Sequence, residues 1–260
     1  MGNLTDLSIK FASQKNYLDE LFKVYPAIPE GIRDIDEEKQ CHVEESFNAH
    51  DNISLITHLL SMDIFPIKDS YVAYLKRDPT AIQRNPNTIN RLCGRLYEMG
   101  LDEIIDKCSY PKETNRQIGP LFKKWLAKGG LGITPVNMQT FENGNDNAVL
   151  DASDAEMKQW CARNLNYTRD KGLDFVGRFN GRYIIGEAKF LTDFGGHQNA
   201  QFADAMSTIT TKSVKAEKIA ILDGVLYIKG NNKMYRDITT KYREYNIFSA
   251  LLLREYLYSL

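Results

Sequence analysis

Through roughly the first 130 positions, apolar residues recur three and four apart, and this spacing predicts a run of helices. Positions 52–62 form one, closed before Pro66. Positions 69–77 form a second, stopped by Asp78-Pro79, and 87–99 a third. Asn87, after Pro86, is the expected N-cap of that third helix, and Gly100 stands where a C′ glycine belongs. Shorter helices are expected over 101–108, ahead of Pro111, and over 117–128, ending in Gly129-Gly130.

The pattern changes near Gly129. Positions 129–152 are rich in Gly, Asn, Thr and Pro, which predicts loops or short strands and a boundary between a helical region, 1–130, and a second region, 131–260. A helix follows over 153–164, with Ser153 as N-cap and Glu156 three residues on, the capping-box pattern. Two alternating segments, 173–179 and 182–190, flank Asn180-Gly181, a strong hairpin signal. A helix over 197–211, a strand pair 218–222 and 225–229 around Asp223-Gly224, and a terminal helix over 247–258 complete the reading. Helices able to cover a sheet make this an α/β or α+β chain.

Chemistry enters at the Asn180-Gly181 hairpin. It carries Asp174 on one arm and Glu187-Ala188-Lys189 on the other. Two carboxylates on neighbouring strands can share a divalent ion, and magnesium prefers such hard oxygen ligands. Glu187 and Lys189 are two apart, so on a strand they face the same way and the ammonium stands beside the carboxylates. Glu-x-Lys also occurs at 37–39, inside an acidic run, and at 156–158, where helical geometry does not align residues two apart. At 187–189 the neighbours Tyr183, Ile184, Ile185, Ala188 and Phe190 predict a strand buried on both faces. Charged groups there are costly unless paired or bound to metal. The competing reading makes Asp174 a turn residue and Glu187 and Lys189 an exposed ion-pair ladder.

Composition narrows the class without naming the target. The 260 residues are 43% hydrophobic and 26% charged, ordinary for a globular protein, with a formal net charge of −1. That balance does not advertise a nucleic-acid binder, although a local positive face suffices to hold phosphate. No apolar run approaches a membrane span, and positions 1–23 mix charges into every turn, unlike a secretory signal. Cys41, Cys93, Cys108 and Cys161 show neither disulfide nor zinc spacing, and reduced thiols in a cytoplasmic protein are expected.

Gly172-Leu173-Asp174 followed by Gly186-Glu187-Ala188-Lys189 resembles the PD-(D/E)XK nuclease superfamily. The stretch from Gly195 to Asp204 is similar to the helix start that follows the active-site strand in its type II restriction endonucleases. The resemblance covers about residues 150–230 and departs at Leu173, where the motif has proline. It implies a restriction-endonuclease-like mixed sheet flanked by helices. Asp174 and Glu187 would bind Mg2+, and Lys189 would assist the attacking water. Glu156, or Asp154, stands where such nucleases take a further carboxylate, although helix capping explains both equally well.

Several polar residues are candidate DNA contacts. His197, Gln198 and Gln201 open the helix after Lys189, where amides and a helix N-terminus can meet phosphates. Arg91 and Arg95 share a helix face within a basic cluster that includes Lys76, Arg77 and Arg84. Asn115, Arg116 and Gln117 precede Lys123 and Lys124. Arginine suits guanine and Asn or Gln suits adenine, while a solvated charged face is the plain alternative. The expected protein is a type II restriction endonuclease cutting double-stranded DNA at a short specific sequence, as a homodimer if the target is palindromic. Region 1–130 would serve recognition and dimerisation. A structure-selective repair or recombination nuclease and a non-catalytic DNA-binding protein of the same fold remain open alternatives.

Overall fold

A computed structural model describes residues 3–14, 16–26, 34–110 and 118–260. Its helices in chain order are α1 (Leu4–Ala12), α2 (Tyr17–Val24), α3 (Glu37–Asn48), α4 (Asn52–Ser61), α5 (Val72–Arg77), α6 (Ala81–Arg84), α7 (Pro86–Met99) and α8 (Leu101–Ser109). They continue with α9 (Ile118–Ala127), α10 (Met138–Asn143), α11 (Asp154–Leu165), α12 (Gly196–Ile209), α13 (Lys233–Thr239) and α14 (Leu253–Tyr258). The strands are β1 (Ala148–Val149), β2 (Phe175–Phe179), β3 (Arg182–Leu191), β4 (Glu217–Gly224) and β5 (Asn246–Phe248).

Contacts divide the chain into two compact units, Ile28–Glu113 and a second made of Met1–Ala27 with Thr114–Leu260. The change of composition near residue 130 is therefore not where the units part. Helices α1, α2 and α9 are amphipathic, and Leu21, Val24, Phe122 and Leu126 are buried in the same core as the strands. Their apolar faces need the sheet to cover them.

The Ile28–Glu113 unit contains α3 to α8 around Val43, Leu55, Leu59, Leu92, Leu96 and Ile104. Helix α7 starts one residue earlier than expected. Pro86 takes its first position, where a missing N–H costs nothing, so Asn85 is the cap and Asn87 lies inside the first turn. Helix α5 starts later than 69, because the Asp69 side chain accepts from the Tyr71 N–H at 2.9 Å and forms a turn ahead of it.

The other unit is built on a five-stranded mixed sheet in the order β1-β2-β3-β4-β5. β1, β2 and β3 are antiparallel, while β3, β4 and β5 run parallel. The expected hairpin forms: Asn180 and Gly181 have φ of 49° and 76°, the paired positive values that a two-residue turn between twisted strands requires. The helix α12 crosses from β3 to β4 and packs on both. The expected helix over 153–164 is α11, with its capping box intact.

Two expectations fail in this unit and one holds in part. The 129–152 segment supplies loops and the short strand β1, but also a helical turn, α10, capped by the Asn137 side chain on the Thr140 N–H at 2.9 Å. The 225–229 strand is absent: β4 ends at Gly224 and a 3-10 turn, Val225–Tyr227, follows. Asp223 is not a hairpin tip but is fully buried, accepting from the hydroxyls of Tyr17, Tyr25 and Ser249 and from the Ala250 N–H. The expected helix over 247–258 holds only from Leu253, because residues 246–248 pair with β4 as β5 instead.

Candidate active site

Asp174 sits one residue before β2, and its N–H donates to the Gly186 carbonyl at 3.1 Å. Phe175 pairs with Gly186, so continuing the antiparallel register by one residue sets Asp174 opposite Glu187. β3 is the middle strand of the sheet, and Glu187 and Lys189 lie on one of its faces by the two-residue alternation. Ile185 on that face packs with Met157, Trp160 and Cys161 of α11. Thr208 of α12 reaches the same face at Glu187. The opposite face carries Phe190, which packs edge-on against Tyr25, the residue that follows α2, with ring centroids 5.6 Å apart.

The three side chains converge. Lys189 Nζ bonds to Asp174 Oδ2 and lies 2.9 Å from Glu187 Oε2. The Ala188 N–H donates to Asp174 Oδ2 at 3.0 Å, which fixes that carboxylate against the strand. Only 1% of the Glu187 side chain is exposed, against 18% for Asp174 and 20% for Lys189. The exposed-ladder reading does not hold, since a surface ladder would leave Glu187 in water. Burial pushes the Glu187 carboxyl up to about 7; the Lys189 charge opposes the rise and the Asp174 charge adds to it. Burial disfavours the Lys189 ammonium, but the charges of Asp174 and Glu187 outweigh this and hold its pKa above the ordinary lysine value.

The donor set suits a hard divalent cation. Two carboxylates from neighbouring strands reach the same ammonium, so both address one point, and oxygen donors leaving room for water and phosphate are what magnesium takes. Among the described residues no group of three His, Cys, Asp or Glu side chains is arranged to hold a metal. The two carboxylates that meet the ammonium are those of Asp174 and Glu187.

The further carboxylates are engaged elsewhere. Glu156 is exposed and closes the capping box of α11, accepting from the Ser153 N–H at 2.8 Å and hydroxyl at 2.6 Å. Asp154 accepts from Lys123 Nζ at 2.6 Å. Lys123 also lines a small cleft together with Asp151, Met157 and Asp174, which places it near the trio, while Lys124 is exposed on the same helix. Gln198 is buried, and its amide exchanges bonds with Thr192, so it locks the start of α12 to the end of β3. His197 is exposed and pairs with Gln201 at 3.0 Å. In the Ile28–Glu113 unit, Arg91 bonds Asp69 at 2.7 Å and stacks over Tyr71, and Arg95 bonds Glu98 at 3.0 Å. Asn115, Arg116 and Gln117 lie outside the described residues.

Sequence reasoning missed the residues behind Glu187. Thr208, fully buried in α12, lies 3.4 Å from Glu187 Oε1, and Arg169 donates to Thr208 Oγ1 at 2.5 Å. Neither stands in a motif. Thr208 occupies one of several small polar positions of α12, and Arg169 a loop with no periodic signal.

A mixed sheet flanked by helices, with Asp, Glu and Lys gathered where a hairpin meets a parallel crossover, is consistent with a nuclease of the PD-(D/E)XK class. A family model, that of the Tsp45I type II restriction enzyme, matches residues 3–260, and the chain belongs to that family. It is a site-specific endonuclease, a hydrolase that acts on DNA. No curated protein and no solved structure matches the chain. Among the described residues no helix is long and apolar enough to cross a membrane.

Proposed function

We propose that the enzyme cuts double-stranded DNA at a short specific sequence by magnesium-dependent phosphodiester hydrolysis, with Asp174 and Glu187 as metal ligands and Lys189 as the group assisting the attacking water. One observation carries this reading: two carboxylates and one ammonium meet at the end of the buried central strand, where structure alone has no use for three charges. When bound, the cation supplies Lewis acidity, activating water and neutralising charge on the phosphate.

The residues of the chain do the rest. Asp174, held by the Ala188 N–H, and Glu187 would hold the cation. Burial favours protonated Glu187, so cation binding and proton release go together. The Lys189 ammonium orients the water and stabilises the negative charge that grows on the phosphoryl oxygens. Water attacks phosphorus in line with the 3′ oxygen; the new P–O bond forms as the P–O3′ bond breaks, the water gives up a proton to solvent and the departing 3′ oxygen takes one from solvent. Both carboxylates and the ammonium belong to one hairpin, so their separation is set by strand register rather than by a mobile loop.

Target recognition is assigned to the helical N-terminal region, with Arg91 and Arg95 as base or phosphate contacts, and to Lys123, Lys124, His197 and Gln201 of the sheet-bearing unit. A palindromic target would be met by a homodimer, each subunit cutting one strand. Sedimentation of the protein–DNA complex decides between dimer and monomer.

The test is incubation of the purified protein with unmethylated phage DNA, with magnesium or with chelator, beside Lys189→Ala. Discrete bands that require magnesium and vanish in the variant are expected. A smear would make the cleavage non-specific. No cleavage with magnesium would overturn the reading.

A further inference from the structure

We propose that Thr208 and Arg169 form a positioning pair that aims Glu187 at the cation, resting on the reading above that Glu187 is a metal ligand. Glu187 presents two oxygens with different neighbours: Oε2 lies 2.9 Å from Lys189 Nζ, while Oε1 lies 3.4 Å from the Thr208 hydroxyl. A carboxylate held at one oxygen cannot swing freely about its last torsion, so the other oxygen keeps facing Asp174 and Lys189.

The direction of the Thr208 hydrogen bond follows from donor counting. A guanidinium has only donors, so when Arg169 approaches Thr208 Oγ1 at 2.5 Å the hydroxyl oxygen accepts. The single hydroxyl proton then has the Asp204 carbonyl at 3.3 Å, Glu187 Oε1 at 3.4 Å and the neutral Tyr167 hydroxyl as acceptors. The Asp204 carbonyl already receives Arg169 at 3.4 Å, and within α12 it is also the acceptor for the Thr208 backbone N–H four residues on. Glu187 Oε1 lacks that supply, and a bond to an ionised carboxylate is roughly twice as strong as one to a neutral acceptor. The proton goes to Glu187 once it is ionised, which is the state that binds a cation.

The setting is closed behind this pair. Thr208 and Glu187 are both buried, as is Tyr167, whose hydroxyl lies against that of Thr208. Arg169 is half-buried in the loop leading from α11 to Asp174, and its neighbour Lys171 pairs with Asp204 of α12. The loop that delivers Asp174 and the helix that backs Glu187 are thereby tied together. Residues that orient a metal ligand in this way typically change metal affinity by about 10- to 100-fold when lost.

The test is direct Mn2+ binding, read by electron paramagnetic resonance without DNA, on the wild type, Glu187→Gln, Thr208→Val and Thr208→Ser. Thermal melts report folding. Glu187→Gln is expected to weaken binding strongly; if it does not, the assignment of Glu187 as ligand fails. With that established, Thr208→Val is expected to weaken Mn2+ binding roughly 10-fold or more, and Thr208→Ser, which keeps the hydroxyl, to stay within about 3-fold. Equal binding by wild type and a folded Thr208→Val would overturn the positioning role. If Thr208→Val fails to fold, Thr208→Ser and Arg169→Met carry the test. Serine binding as wild type together with weakened binding in Arg169→Met supports the pair. Weakened binding in the serine variant, or none in Arg169→Met, overturns it.

Discussion

Glu187 and Lys189 stand two residues apart on β3 with Oε2 and Nζ 2.9 Å from each other, and the glutamate is the more deeply buried of the two. The ammonium is the more exposed of the two, and the carboxylate lies beneath it. Burial is also what pushes the Glu187 carboxyl above the ordinary carboxylate range.

Stability should fall as pH rises. Burial raises the folded-state carboxyls of Glu187 and Asp223 to about 7 each, above the values of an unfolded chain. Between the unfolded and folded values the native state binds more protons. The contribution is therefore fully present below about pH 4 and is lost as pH passes through 7. In chelator, melting temperature should drop by roughly several degrees from about pH 5 to about pH 8. Asp223→Asn should flatten part of that slope. A profile that rises across this range would contradict the assignment.

Gly181→Ala isolates the turn from the chemistry. A Cβ at Gly181 meets open space, so the cost is that of the positive φ alone, about 1 kcal/mol. The denaturant midpoint should shift accordingly while Mn2+ affinity stays unchanged.

Gly186→Ala should instead damage both. Its Cβ would stand 2.7 Å from Ile219 Cγ1 and 3.1 Å from the Ile219 carbonyl, in the close contact between β3 and β4. Wedging the strands apart there costs roughly 1–3 kcal/mol and displaces the adjacent Glu187. Cleavage rate and melting temperature, measured together, should both fall.

Glu156→Ala decides whether that carboxylate serves the cap or the metal. Loss of its bonds to Ser153 should lower the denaturant midpoint and leave cleavage within about 2-fold of wild type. A hundredfold loss in a folded variant would place it in the metal set.

Features governed by near neighbours were legible in the sequence. The Asn180-Gly181 turn, the Ser153–Glu156 box and the shared face of Glu187 and Lys189 are relations of one to three residues, set by backbone geometry that any chain obeys. The presence of charge in an apolar segment already marked the site. Only the tertiary structure decided that Asp223-Gly224 turns inward, that residues 246–248 pair as a strand, and that α1 and α2 belong with the sheet. The same holds for Thr208 and Arg169 meeting behind Glu187. Asp223 reads locally as a turn residue, yet four donors from segments up to 206 residues away hold it inside. Such contacts depend on which apolar faces are buried together, and spacing along the chain carries no record of that.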